Sequence, residues 1–264
     1  MRRSSTVEGT ILILASLVGL VAFLYPFFMA SLPQSLNRAN AHAEDAPLMT
    51  ILLVGLCLGA MLASLNARRM NSKIVAILGV LSAVNAVLRA VPGPAGFSAM
   101  FVLPILCGYA YGATFGFLLG ALSLLVSAFI GGGIGPWLPY QMLVVGWVGM
   151  SSAWLPRLEG HPRLEVLILG AWGAIWGIAF GMLMNIWFWP YVFQPHQPEL
   201  YWRPGLALTE TLRRYAVFYA VTSFGWDLGR AAGNALLLWA FGRPILRLLR
   251  RFQRRFHFIH APMG

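Results

Sequence analysis

Three polar residues, Asp227, Arg230 and Asn234, stand in an apolar stretch near the end of the sequence. Spacings of three and four residues place them on one face of a helix. Ionisable groups in such a stretch are costly, and they usually mark a binding site or an ion pathway. The pattern predicts a substrate-binding site, or a coupling-ion site at Asp227. A purely structural ion pair between Asp227 and Arg230 is the alternative.

Further polar and aromatic residues lie at positions that we expect on the same side of a membrane as these three residues. They complete the predicted substrate-binding set, and they are Arg89, Trp137, Tyr140, Gln141, Asn185, Trp189 and Trp226. For the tryptophans, an aromatic belt at the level of the lipid headgroups is the alternative interpretation.

The segment Gly131–Gln141 is predicted to form a gate over this site. Four of its first five residues are glycine, and Pro136 and Pro139 then stiffen the chain around Trp137. Glycines allow many backbone conformations, so ordering of this loop has to be offset by contacts with a ligand. A mobile turn without a gating role is the alternative.

Catalytic, metal and nucleotide chemistry find little support. Carboxylates other than Asp227 lie at chain ends or in loops, and the five histidines show no metal-ligand spacing. The sequence lacks the Gly-Lys-Ser/Thr tripeptide of a phosphate-binding loop. We therefore predict no catalytic residue, no metal site and no cofactor, and any ATP must be hydrolysed by another chain.

The composition is that of a membrane protein. Of the 264 residues, 59% are hydrophobic and 10% charged, against roughly 25% charged in soluble proteins. The net charge of +11 comes from short basic runs between apolar stretches. That distribution favours membrane topology over nucleic-acid binding.

Eight apolar stretches are predicted to cross the membrane, since a crossing helix needs about 20 apolar residues. They are Thr10–Ala30, Leu48–Leu65, Ile74–Val91, Phe97–Ala110, Ala113–Ile130, Leu138–Leu155, Val166–Trp189 and Ser223–Phe241. The fourth is short and contains Pro104, but omitting it would move the basic C-terminal tail outside. The positive-inside rule therefore favours eight spans, an uncleaved first helix, and both termini in the cytoplasm. The segment 190–214 is predicted to be a long external loop.

Small residues recur at a spacing of four, which lets helices approach closely. The rows Gly112, Gly116, Gly120 and Gly173, Gly177, Gly181 are predicted to pack within the bundle. Gly79 and Ala83 could pack in the same way or face another subunit.

Four segments carry a resemblance to a known family. They are Gly116-Phe117-Leu118-Leu119-Gly120-Ala121, Gly135-Pro136-Trp137-Leu138-Pro139-Tyr140-Gln141-Met142, Met184-Asn185-Ile186-Trp187-Phe188-Trp189-Pro190 and Trp226-Asp227-Leu228-Gly229-Arg230-Ala231. Over residues 72–250 the chain resembles the substrate-binding S components of energy-coupling factor (ECF) vitamin transporters.

The resemblance implies a six-helix core that captures a vitamin at the outer face: a cobalamin-type corrinoid, with thiamin precursors, riboflavin and other heterocycles as alternatives. It also implies a separate transmembrane coupling subunit and two ATPases. Small residues on the first core helix contact that subunit in the family, which points to Gly79 and Ala83 in place of the usual Ala-x-x-x-Ala.

The resulting prediction is an all-α polytopic membrane helix bundle. Residues 1–71 hold two extra N-terminal spans, residues 72–250 the six-helix core, and residues 251–264 a basic cytoplasmic tail. The predicted function is the substrate-specific subunit of an ATP-driven importer in the cell membrane. A self-contained ion-coupled carrier using Asp227, or a membrane-embedded enzyme or scaffold, is the alternative.

Overall fold

A computed structural model describes residues 6–29, 41–67, 70–94, 97–158 and 160–256. Within these ranges the chain forms helices and no strand, which confirms the predicted all-α fold. The α-helices are α1 (Thr6–Leu24), α2 (Ala46–Asn66), α3 (Ser72–Ala90), α4 (Val102–Tyr111), α5 (Ala113–Ser127), α6 (Leu138–Ser152), α7 (Pro162–Phe188), α8 (Leu208–Thr222) and α9 (Phe224–Phe256). Short 3-10 turns follow α1 and α7, precede α4 and α8, and a π-turn at Ala128–Gly132 follows α5.

Five helical segments in the described ranges are long and apolar enough to cross a membrane. They are Thr6–Phe28, Ala46–Asn66, Ser72–Ala90, Ala113–Gly132 and Pro162–Tyr191. They coincide with the first, second, third, fifth and seventh predicted spans. The chain is therefore a multi-pass membrane protein.

The other three predicted spans differ in form. The fourth is the short apolar helix Ala99–Tyr111, whose residues from Met100 to Ala110 are all buried. The sixth corresponds to α6, which has 15 residues. The eighth is part of α9, a 33-residue helix that continues through Pro244 into the predicted tail. For these three segments, crossing stays a prediction.

The predicted loop over residues 190–214 is wrong in one respect, because α8 begins inside it at Leu208. This helix carries Glu210, Arg213 and Arg214, which lower its hydropathy below that of a membrane span. Its apolar side chains are also spread around it: Phe218 is buried, whereas Leu212 is 59% exposed. A search for long apolar stretches does not detect a helix that mixes charged and apolar residues in this way.

Glycines bring the core helices into backbone contact, as predicted for the two glycine rows. A Cβ on Gly120 of α5 would lie 2.2 Å from the carbonyl oxygen of Val145 on α6. Between the other pair of helices, a Cβ on Gly177 of α7 would lie 2.6 Å from Cα of Ala231 on α9. Gly112 has a different role: its φ of +105° closes the tight turn between α4 and α5.

The N-terminal helices pack on the core. α1 and α2 contact each other and lie against α5 and α6. Trp147 of α6 donates from Nε1 to Oγ of Ser16 on α1 at 2.9 Å. α3 lies at the edge of the bundle, where its main contact is with α5.

Candidate functional site

A cavity of about 330 Å³ lies at the end of the bundle where α3 and α5 finish and α6 begins. Its lining comes from α3, α6, α7, α9 and the segments that follow α3 and α5. The lining residues are Arg89, Ala90, Pro92, Phe97, Ser98, Met100, Gly131, Gly132, Gln141, Phe180 and Arg230. Three of the predicted site residues, Arg89, Gln141 and Arg230, thus meet around one space.

Arg89 is held at the cavity by neutral partners. Its Nη1 donates to Oγ of Ser127 at 3.0 Å, and its Nη2 donates to Oε1 of Gln141 at 2.7 Å. The guanidinium lies against the backbone of Gly132, where a Cβ would be 1.9 Å from Nη1. The glycine-rich segment therefore borders the cavity and leaves room for the arginine; its role as a gate stays a prediction.

Arg230 is held by a carboxylate. Asp227, which is 2% exposed, forms an ion pair with Nη1 of Arg230. The same Nη1 donates to the carbonyl oxygen of Gly177 at 3.3 Å, and the guanidinium lies 5.2 Å from the ring centre of Phe180. Gly181 makes space for the pair, because a Cβ there would be 1.8 Å from Oδ2 of Asp227.

Asn234 supports α9 from behind this pair. It is fully buried, and its Nδ2 donates to the carbonyl oxygen of Arg230 at 3.0 Å. It is not among the residues that line the cavity. Its structural partner is therefore the backbone of its own helix.

Tyr140 faces the N-terminal helices. Its hydroxyl lies 2.7 Å from Nδ1 of His42 and donates to Oδ2 of Asp45 at 2.8 Å. Tyr25 donates to the same carboxylate oxygen at 3.1 Å and lies 2.9 Å from the hydroxyl of Tyr191. This group, Tyr25, His42, Asp45, Tyr140 and Tyr191, is called the hairpin cluster below. It links the segment before α2 to the core.

The pKa of the Asp45 carboxyl is lowered within the hairpin cluster. Burial raises its pKa, but the hydrogen bond and charge of His42 and the hydroxyls of Tyr140 and Tyr25 outweigh burial and lower the pKa below its usual value of 3.8. Because the pKa of Asp45 is lower in the folded chain than in the unfolded chain, its ionised carboxylate stabilises the fold at pH values above the unfolded pKa. This contribution is lost as the pH falls through the lower, folded pKa.

The remaining predicted site residues lie in other surroundings. Trp189 is buried and donates from Nε1 to the carbonyl oxygen of Leu200 at 3.0 Å. Asn185 is buried on α7, and its Nδ2 has no hydrogen-bond partner within the described ranges. Trp137 is half-buried beside the glycine-rich segment, and Trp226 is 60% exposed. None of these four lines the cavity, and their substrate-binding role stays a prediction.

The apolar residues that line the cavity could not be predicted from the sequence. Phe97, Met100 and Phe180 form much of the cavity wall, but an apolar residue in an apolar stretch carries no signal of its own. His42 and Asp45 were missed because they lie in a loop, where polar residues are expected. Among the residues that the structure describes, no three His, Cys, Asp or Glu side chains are grouped to hold a metal ion.

We expect Tyr140→Phe to weaken the fold while leaving affinity for a ligand in the cavity unchanged. The substitution removes a hydroxyl that bonds to both His42 and Asp45, and a lost buried hydrogen bond to a charged group costs about 1.5–3 kcal/mol. Thermal unfolding in detergent, with ligand titration on the same sample, measures both quantities. Phe23→Leu, which alters a ring packed 5.0 Å from Tyr140 without touching the hydroxyl, is a control for packing. Loss of affinity at full stability would place Tyr140 in the binding site.

The comparisons with known proteins address the same helices. No curated protein and no solved structure matches the chain. A family profile described as "ECF transporter, substrate-specific component" matches residues 73–238. The match begins in α3 and ends in α9, so it spans every segment that lines the cavity. The chain belongs to the family of substrate-specific components of ECF transporters.

Proposed function

We propose that the chain captures a vitamin in the cavity between α3, α6, α7 and α9 and delivers it to a separate ATP-driven module. The observation that carries this proposal is the cavity itself, in which polar groups from α3, α6 and α9 converge at one end of the bundle. In the topology predicted from basic residues, that end is extracellular and both termini are cytoplasmic. Such a site would be open to substrate from outside.

The size of the cavity bears on the substrate. Small-molecule sites span roughly 300–1,000 Å³, so about 330 Å³ is at the lower end. The cavity is open on one side, and a cobalamin-type corrinoid, with its macrocycle and side chains, would extend beyond its walls. The cavity therefore favours a smaller vitamin over the corrinoid that the resemblance suggested.

The proposed partners are a transmembrane coupling subunit and two ATPases. A face of α3 is open to meet the coupling subunit: Ala83 is exposed, Val80 is 64% exposed, and a Cβ on Gly79 would meet no atom within 4 Å. Small residues on an open face allow another helix to approach closely. This geometry supports the coupling contact predicted at Gly79 and Ala83.

Gly79→Leu and Ala83→Leu should each abolish uptake without changing ligand affinity. A leucine side chain at either of these exposed positions would separate the backbones of α3 and the partner helix. Pull-down of the coupling subunit and uptake in cells are the measurements.

Gly55→Leu on α2 is a matched control, because a Cβ there also meets no atom within 4 Å. It lies outside the residues of the family match. Normal partner recovery by the α3 variants would remove this face from the proposal.

An ion-coupled carrier is the competing function. It needs Asp227 to exchange a proton or sodium ion, but Asp227 is already paired with Arg230. An ion binding there would have to displace the guanidinium. The pairing therefore argues against this alternative.

A further inference from the structure

Charge in the cavity is one-sided. Arg89 and Arg230 both line it, and none of the described residues around it is a carboxylate. The inference below rests on the proposed function, since it concerns the substrate of the same cavity.

Arg89 has no countercharge in the part of the chain that the structure describes. Its two hydrogen bonds go to the hydroxyl of Ser127 and the amide of Gln141, both neutral. A guanidinium that the described chain leaves without a carboxylate partner, and that borders an open cavity, is placed to pair with an anionic ligand. A guanidinium has five N–H groups in a planar fork, so donors remain for a ligand after these two bonds.

Arg230 differs because Asp227 neutralises it. The two arginines and Asp227 together leave a net charge of about +1 at the cavity. One positive charge matches a carboxylate, whereas a phosphate monoester carries about −1.5 to −2 at neutral pH. The fork of Arg89 also suits the two oxygens of a carboxylate.

Apart from Ser98 and Gln141, the rest of the wall is apolar and in part aromatic. Phe97, Met100 and Phe180 face the same space as the arginines. Such a wall binds a flat or aliphatic body through its apolar surface. A ligand that satisfies both halves of the cavity has one acidic group and one apolar part.

We propose that the substrate is a small monocarboxylate, whose carboxylate binds Arg89 and whose apolar body packs against Phe97 and Phe180. The carboxylate of the ligand then neutralises Arg89, which pairs with no carboxylate in the described part of the chain. Arg89 thereby determines the specificity of the site for acids over their neutral analogues.

Two matched variants test the assignment on the purified full chain in detergent. Gln141→Glu keeps the shape of the side chain and places a carboxylate where Oε1 now lies, 2.7 Å from Nη2 of Arg89. It should raise the unfolding temperature of the ligand-free chain and prevent acid binding. Arg89→Gln removes the charge and the planar fork that would bind a carboxylate.

The probes are acids paired with neutral analogues: nicotinate with nicotinamide, pantothenate with panthenol, and biotin with its amide. Pyridoxal phosphate, paired with pyridoxal, represents a phosphate ester. At least one carboxylate should bind the wild-type chain about 10–100-fold more tightly than its partner, the range expected for hydrogen bonds to a charged group. Both variants should lose this preference.

The assignment is overturned if no carboxylate is preferred over its neutral partner, if the phosphate ester binds more tightly than the acids, or if the Gln141→Glu chain still prefers acids. Failure of the wider proposal gives another result. If neutral compounds bind the wild type and Phe180→Ala removes that binding, capture in the cavity stands and only the charge argument fails. If a substrate that the assembled transporter imports binds the Phe180→Ala, Arg89→Gln and wild-type chains equally, the cavity is not the capture site.

Discussion

Replacing Gly149 with alanine should prevent normal packing of the core. Gly149 lies on α6, where α4 and α5 both approach: a Cβ on it would be 2.1 Å from the carbonyl oxygen of Gly116. Its own carbonyl oxygen would be 1.8 Å from a Cβ on Gly108. The clashing atoms are backbone, which cannot rotate away as a side chain can. We expect destabilisation by about 3 kcal/mol, the upper end of the usual cost of overpacking.

The measurement is the unfolding temperature and the folded yield in detergent. Gly55→Ala is the control, since the added methyl group meets no atom within 4 Å. Alanine also favours a helix over glycine by about 1 kcal/mol, so this control should be neutral or slightly stabilising. Equal stability of the two variants would show that α4, α5 and α6 are not in backbone contact at Gly149.

The second large effect concerns the ion pair of Asp227 and Arg230. Asp227→Asn should destabilise the chain by about 3–5 kcal/mol, because it leaves a partly buried guanidinium without its carboxylate. The double variant Asp227→Asn/Arg230→Gln should recover most of that stability. It should not recover ligand affinity, because Arg230 lines the cavity.

Ligand titration and thermal unfolding of the single and double variants separate the two roles. A pair that only holds α9 together predicts full affinity in the double variant. That outcome would remove Asp227 and Arg230 from the site and leave Arg89 and Gln141 as its polar groups. Arg230→Lys is a useful companion, since it keeps the charge but loses the planar fork.

Helical spacing predicted much of the packing but less of the site. Rows of glycine at intervals of four identified the α5 and α7 faces, because a missing side chain leaves a periodic trace. Gly149, which meets Gly108 in space, belongs to no such row, and Gly108 lies one step of four before Gly112 but on the preceding helix. Their contact depends on how α4 and α6 are placed, which no local pattern encodes.

For the polar residues, the sequence predicted the depth along each helix but not the direction of the side chain. Arg89, Gln141 and Arg230 were expected near one end of the bundle, and they do meet around the cavity. Tyr140 comes one residue before Gln141, yet the turn of α6 directs it toward His42 and Asp45. Depth along a helix follows from the sequence, whereas the direction of a side chain depends on its neighbours.

The two N-terminal helices acquire a definite attachment from the structure. The family match begins at residue 73, after α2. Two contacts nevertheless tie this part to the core: the hairpin cluster at one end and the Ser16–Trp147 hydrogen bond. Polar residues far apart in sequence make these contacts, and the spacing of those residues does not predict the contacts.

The proposed function is the capture of a substrate for a separate ATP-driven module. It is tested by purification from native membranes in mild detergent, with the amounts of all associated proteins measured by mass spectrometry. We expect a transmembrane coupling protein and two ATPases in fixed ratio to the chain, all lost from the Gly79→Leu variant but retained by Gly55→Leu. A chain that purifies without any ATPase, and that alone accumulates substrate in vesicles under an ion gradient, would contradict this function.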